Sequence, residues 1–233
     1  MMALGISEDL FDAGAALAVD GRLVFAANEE RYTREKNAGR FPRHTLAAIR
    51  EQTGMDPAES DQVAVAGIRT PPAFARAFPW IHDLARRLKR ERKDHRVRLM
   101  LDRAALLNAR SGHRRDLSAT ELAVPHLLLA RLTRLRAGGI IGPRARILFV
   151  EHHHAHAAGA AVLSGFDSAL CLTADGMGDG LSLTVSRYRK GTAPERLWCI
   201  PARDSFGLFF EALTEAFGFV PCRDEGKLTG LAA

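Results

Sequence analysis

Four histidines fall within five residues in Glu151-His152-His153-His154-Ala155-His156-Ala157-Ala158, directly after the short apolar strand Arg146–Val150. A strand that opens into a helix at this point limits what the chain can build. Residues four apart share one helical face, so His152 and His156 can aim their rings at a common point. About one βα unit later comes Thr173-Ala174-Asp175-Gly176-Met177-Gly178-Asp179-Gly180, a carboxylate and a glycine loop at the end of a second apolar strand, Ser168–Ala174. A neighbouring strand would carry Asp175 to the point where the two imidazoles meet. Two imidazoles and a carboxylate are a common donor set for a divalent ion. Successive glycine amides beside such a set let a polyphosphate approach the backbone. The two stretches point to a metal–nucleotide site.

Two other metal motifs do not fit. The zinc-peptidase pattern HExxH needs a glutamate after the first histidine, and His153 stands there. A calcium loop beginning at Asp175 would need an acidic or amide ligand where Met177 sits, and a glutamate where Ser186 sits. The cluster is internal, so it is not a purification tag.

The rest of the chain bounds the class. Its 233 residues, 47% apolar and 26% charged, suit one large or two small globular domains. No apolar run approaches the roughly 20 residues that span a bilayer. The opening residues Met1–Asp9 lack the basic start and apolar core of a signal peptide. Cys171, Cys199 and Cys222 are odd in number and widely spaced, which favours reduced thiols. A cytoplasmic protein without a membrane anchor is expected.

Ala3–Ser7, Ala15–Val19 and Arg22–Ala27 read as strands, the last two joined by the tight turn Asp20-Gly21. Between the first two lies Phe11-Asp12-Ala13-Gly14-Ala15-Ala16, an acidic residue and a small-residue turn of the kind that presents a first phosphate loop in actin-like ATPases. The charged run Asn28–Asn37 allows two readings. It is a solvated loop, which composition favours, or Arg31, Arg34 or Lys36 turns inward to meet the oxygens of a phosphate-bearing ligand. His44–Glu51 reads as a helix ended by Thr53-Gly54, and Gln62–Ile68 as a strand. Later strands are Leu181–Tyr188 and Arg196–Ile200, and Ser205 is placed to cap a helix over Phe206–Phe217 that ends at Gly218.

The net charge of +6 is unevenly distributed: Thr70–Arg146 holds 18 basic and 6 acidic residues, leaving the remainder acidic. Pro71 to Arg136 has helical periodicity. A basic helical stretch could bind nucleic acid, but it lacks interleaved aromatics and a recognised motif. A solvated helical insertion over residues 70–146 is the better reading.

The ordered set of motifs resembles the N-terminal part of the carbamoyltransferases of the NodU/CmcH family, which modify nodulation factors and antibiotics. The matching pieces begin with Leu4-Gly5-Ile6-Ser7, Asp12-Ala13-Gly14-Ala15-Ala16-Leu17, Asp20-Gly21, Glu29-Glu30-Arg31-Tyr32-Thr33-Arg34 with Lys36, and Phe41-Pro42. They continue with His152-His153, Ala155-His156-Ala157-Ala158, Ser164-Gly165-Phe166, Asp175-Gly176 with Gly178-Asp179, Ser205 with Gly207-Leu208-Phe209, and Glu225 with Lys227 and Gly230-Leu231-Ala232. They cover nearly the whole chain in order, with the basic middle segment matched least.

The resemblance implies an α/β, actin/sugar-kinase-like (RNase H-like) ATPase lobe related to the threonylcarbamoyl-adenosine synthases. It implies that carbamoyl phosphate and ATP become carbamoyl adenylate in a YrdC-like partner domain. The carbamoyl group then passes to a hydroxyl of a small-molecule acceptor. By motif position, His152, His156 and Asp175 would hold a divalent metal, iron first and magnesium as the alternative. Gly14, Gly176, Gly178, Asp179 and Lys227 would serve the ATP phosphates, and Asp12 and Lys36 would be catalytic.

The chain departs from the family in two places. Phe11 stands where the family has a histidine before the aspartate of the first loop. Family members run to more than twice this length, so the resemblance implies that the second half of the fold, a further aspartate ligand and the YrdC-like domain would lie outside this chain. The chain is therefore expected to be an N-terminal fragment or a split half that needs its C-terminal domain or a separate subunit. Two alternatives stay open: a tRNA-modifying relative using the basic segment, and a non-catalytic nucleotide-binding lobe acting with a second subunit.

Overall fold

A computed structural model describes residues 1–8, 12–39, 41–68, 139–221 and 223–232. The helical reading of Pro71–Arg136, and with it nearly all of the basic insertion, lies outside the described residues. The described residues fall into two compact units, the first ending at Glu151 and the second starting at His152.

The first unit is built on a five-stranded mixed sheet. Its strands are β1 (Met2–Ser7), β2 (Gly14–Val19), β3 (Arg22–Asn28), β4 (Gln62–Ala66) and β5 (Arg146–Val150), in the order β3-β2-β1-β4-β5. β1, β2 and β3 are antiparallel neighbours, whereas β4 and β5 add in parallel on the other side of β1. The hairpin turn between β2 and β3 forms as expected. Asp20 and Gly21 both take positive φ, at 50° and 77°, the twist that a two-residue hairpin loop demands.

Alternation decides which face is buried. Leu4 and Ile6, Ala15 and Leu17, and Val63 and Val65 lie two apart on their strands and form the core with Leu46 and Ile49. Those last two residues belong to helix α2 (Arg43–Thr53), which Gly54 ends with φ 70°.

The charged run Asn28–Asn37 follows the solvated reading that composition favours, with a helical turn in place of a plain loop. Its middle forms the single helical turn α1 (Glu30–Thr33), and Arg31, Arg34 and Lys36 stay exposed. The residue that turns inward is an acid. Glu29 is 4% exposed and accepts hydrogen bonds from the Thr45 hydroxyl (2.7 Å), the Thr45 and His44 backbone N–H groups (2.8 and 3.0 Å) and His44 Nδ1 (2.7 Å). A helix leaves its first N–H groups without partners, and a carboxylate delivered from elsewhere in the chain satisfies two of them.

The second unit holds α3 (His152–Leu163), then the antiparallel sheet β6 (Ser168–Gly178), β7 (Leu181–Arg189) and β8 (Glu195–Pro201), then α4 (Phe206–Ala216) and α5 (Glu225–Leu231). Small residues let α3 lie close to the sheet: Ala157 and Ala161 are buried against Cys171 and Tyr188. The α/β class is as expected; α1 and α5 have no sequence reading, and the elements read from the sequence lie within a few residues of their expected bounds, with one exception. β6 runs on to Gly178, past its expected end at Ala174. No helix among the described residues is long and apolar enough to cross a membrane.

Candidate metal centre

The extension of β6 places the acid. Ala174 pairs with Leu183 and Gly178 with Leu181, so Asp175, Gly176 and Met177 stand opposite the single residue Ser182. Such a bulge bends its strand and re-aims a side chain that regular alternation would have fixed. The tight turn comes after it, at Asp179 and Gly180, which take positive φ of 51° and 89°. The stretch read as one glycine loop is a bulge followed by a hairpin turn.

The bulge aims Asp175 at the first turn of α3. Asp175 Oδ2 lies 2.6 Å from His152 Nε2 and 3.9 Å from His156 Nε2, and the two imidazole Nε2 atoms are 3.1 Å apart. One donor atom from each of the three residues lies within 4.8 Å of the others. Donor atoms about 2.1 Å from one ion, at right angles to each other, stand roughly 3 Å apart. The 3.1 Å separation matches that spacing, the 3.9 Å one exceeds it, and the shortest is a hydrogen bond between ring and carboxylate. The donor set therefore fits a divalent ion after a small opening, with the same ring nitrogen of both histidines turned inward. His152 is 16% exposed, against 58% for His156 and 39% for Asp175, so the cluster has one sheltered side and one open side. The His152 hydrogen bond brings the Asp175 carboxyl down to about 2. Burial opposes the shift, while the charge of His152, the Gly176 N–H and His156 add to it. Asp175 is ionised at neutral pH, as a ligand must be.

The other two histidines do different work. His153 is fully buried, its Nδ1 2.9 Å from the Thr173 hydroxyl and its Nε2 3.1 Å from the Leu181 carbonyl oxygen. The Thr173 hydroxyl continues to that of Thr184 at 2.7 Å. This polar seam pins α3 to β6 and β7. His154 is outside the three-residue cluster.

The cluster is also braced. Asp179 Oδ2 accepts the His152 backbone N–H at 2.7 Å. Ser205 caps α4 through Leu208 N (3.2 Å), as expected, and its hydroxyl also donates to the Asp175 carbonyl oxygen at 3.3 Å. Gly207 comes so close that a Cβ there would lie 2.6 Å from Gly176 Cα. The sequence marks Ser205 as a cap but gives no hint that it or Gly207 touches the acid, because the contact joins residues about thirty apart.

The remaining expected site residues are placed as follows. Gly176 has open space where a side chain would be, which suits an approaching ligand. Lys227 lies on α5 with its Nζ 3.1 Å from Asp224. Asp12, Gly14 and Lys36 belong to the first unit. A Cβ on Gly14 would sit 2.7 Å from the Ala27 carbonyl oxygen, so strand pairing already requires glycine there. Asp12 takes φ 55°, and crowding by nearby atoms, then the charge of Glu30, lifts its carboxyl above the usual value.

With this geometry in view, the chain can be set beside known proteins. The family described as carbamoyltransferase N-terminus matches residues 2–233. The nodulation protein NolNO of Sinorhizobium fredii is 31% identical over 96% of this chain and 28% of its own length. The protein sll1178 of Synechocystis is 29% identical over 98% of this chain and 34% of its own length. MJ1051 of Methanocaldococcus jannaschii is 26% identical over 100% and 33%. The chain thus spans about a third of the length of the curated relatives it matches. A crystal structure of the Aquifex aeolicus Ppx/GppA phosphatase aligns over 97% of this chain and 59% of its own, with 12% identity and a TM-score of 0.38.

Proposed function

The chain belongs to the carbamoyltransferase N-terminus family, and from that premise we propose that it is the actin-like N-terminal part of an ATP-dependent O-carbamoyltransferase. Its reaction moves a carbamoyl group from carbamoyl phosphate, by way of carbamoyl adenylate, to a hydroxyl of a small natural product. The observation that carries this reading is the convergence of His152, His156 and Asp175. These three residues hold the divalent ion, with iron the first choice, since two histidines and one carboxylate with open positions suit ferrous iron. An ion held by these three residues would supply Lewis-acid chemistry that offsets leaving-group charge.

The chain's own groups do the rest. Gly176 lets the backbone come close to the ATP phosphates, and Gly178, Asp179 and Lys227 serve the same phosphates. Lys36 faces the carbamoyl group or adenylate phosphate and stabilises negative charge there. In the transfer step the acceptor oxygen bonds to the carbamoyl carbon, the bond from that carbon to the adenylate phosphate oxygen breaks, and AMP leaves. Asp12 takes the hydroxyl proton, a task suited to a carboxyl raised above its ordinary value. The carbamoyl carbon is a sluggish electrophile, so activation as a mixed anhydride and positioning contribute most.

Because the relatives are about three times longer, adenylate formation requires sequence beyond this chain, supplied by a C-terminal domain or a second subunit. Calorimetric titration of the purified chain with ATP, in the presence of ferrous or magnesium ion, tests the nucleotide site. Binding that disappears with His156→Ala is the expected result. No binding by the unaltered chain with either ion sinks the reading.

A further inference from the structure

The contacts around the cluster divide the work between residues that offer donor atoms and residues that hold those donors still. We propose that Gly178 and Gly207, with Asp179, are positioning residues that set His152 and Asp175 in place before any ion arrives. This rests on the metal reading above and extends it to parts of the chain that offer no ligand.

The argument begins with volume. A Cβ built on Gly178 would fall 2.0 Å from His152 Cδ2, 2.2 Å from Cγ and 2.6 Å from Nε2. The His152 ring therefore lies on the bare backbone of Gly178, and any side chain there must displace the ring. What gives way is a side chain, so the fold can absorb the change. The imidazole cannot, because turning it away removes Nε2 from its 2.6 Å contact with Asp175 and its 3.1 Å contact with His156.

Gly207 does the same for the acid, but against backbone. A Cβ there would meet Gly176 Cα at 2.6 Å, Gly176 N at 3.0 Å and the Asp175 carbonyl carbon at 3.3 Å. Asp179 acts from a third direction by accepting the His152 N–H, which anchors the start of α3 over the bulge. Its φ of 51° is one that asparagine also tolerates, so asparagine can keep both the turn and the acceptor oxygen. Gly159 provides the contrast: it lies on α3 with open space around its missing side chain.

Residues that orient metal ligands typically change affinity by about 10- to 100-fold when altered. The experiment titrates cobalt(II) into the metal-stripped chain and reads the visible absorption bands, which report ligand geometry, alongside metal-free melting curves. Gly178→Ala is expected to weaken cobalt binding at least about tenfold and alter the bands, with melting nearly unchanged. Asp179→Ala is expected to weaken binding, Asp179→Asn to restore it, and Gly159→Ala to leave it unaffected. Gly178→Ala binding cobalt with the affinity and spectrum of the unaltered chain overturns the proposal. If the unaltered chain takes up no cobalt, the metal reading fails instead. The positioning claim is then decided by a crystal structure of metal-free Gly178→Ala. It stands if the His152 ring has swung away from Asp175 and falls if the hydrogen bond survives.

Discussion

Glu29 sits at the point where a charged stretch of sequence meets a packed core, and its carboxylate has a definable energetic role. Burial alone would raise its proton affinity. The Thr45 hydroxyl, the two backbone N–H groups of His44 and Thr45, and the His44 ring together outweigh burial and leave it below the usual 4.5. A depressed carboxyl stabilises the fold above its unfolded value and loses that contribution as pH falls through the folded one. Urea unfolding at steps below pH 6 should therefore show the unaltered chain losing more stability below about pH 4.5 than Glu29→Gln does. At neutral pH Glu29→Gln should cost about 1–3 kcal/mol, since a hydrogen-bonded buried charge is replaced by an amide that accepts on one oxygen only. The histidines divide at the same scale. His152→Ala or His156→Ala should remove most bound metal, measured by elemental analysis of the purified chain, while His154→Ala should retain it. Equal metal in all three variants would remove His152 and His156 from the ligand set.

Among the elements, α4 joins stability to the site most directly. Ser205 caps it and also holds the Asp175 carbonyl oxygen. Ser205→Ala should cost about 1 kcal/mol of unfolding free energy and should loosen metal binding as well. An ordinary cap would produce only the first effect, so calorimetric titration with cobalt separates the two. α2 shows the usual core behaviour. Ile49 is completely buried between the helix and the first sheet, and Ile49→Ala should cost about 2–5 kcal/mol. β6 is the element whose irregularity matters: its bulge turns Asp175 toward α3, and a deletion restoring regular pairing would turn it elsewhere.

At the scale of the whole molecule, a chain that covers about a third of its relatives' length should bind but not complete a cycle. Incubated with carbamoyl phosphate and ATP, the purified chain should release no pyrophosphate. Turnover by the chain alone would show that it carries a complete adenylating centre.

Much of this was legible in the residues themselves. Alternating Leu4 and Ile6, Val63 and Val65 specified strands and their buried faces, because side chains on a strand have no other way to alternate. Asp20-Gly21 specified a hairpin, since few residue pairs accept two positive φ angles. The four-residue spacing of His152 and His156 was likewise local geometry. Contacts between distant residues were not legible. No local pattern says that Glu29 rather than Arg31 or Lys36 turns inward, that His153 is a core residue, or that Gly178 and Gly207 lie against the two donors. Sequence by itself fixed the elements and the kinds of donor atom available. Tertiary structure alone decided how those donors are held, because a bulge and two missing side chains act through space the chain does not encode in neighbouring residues.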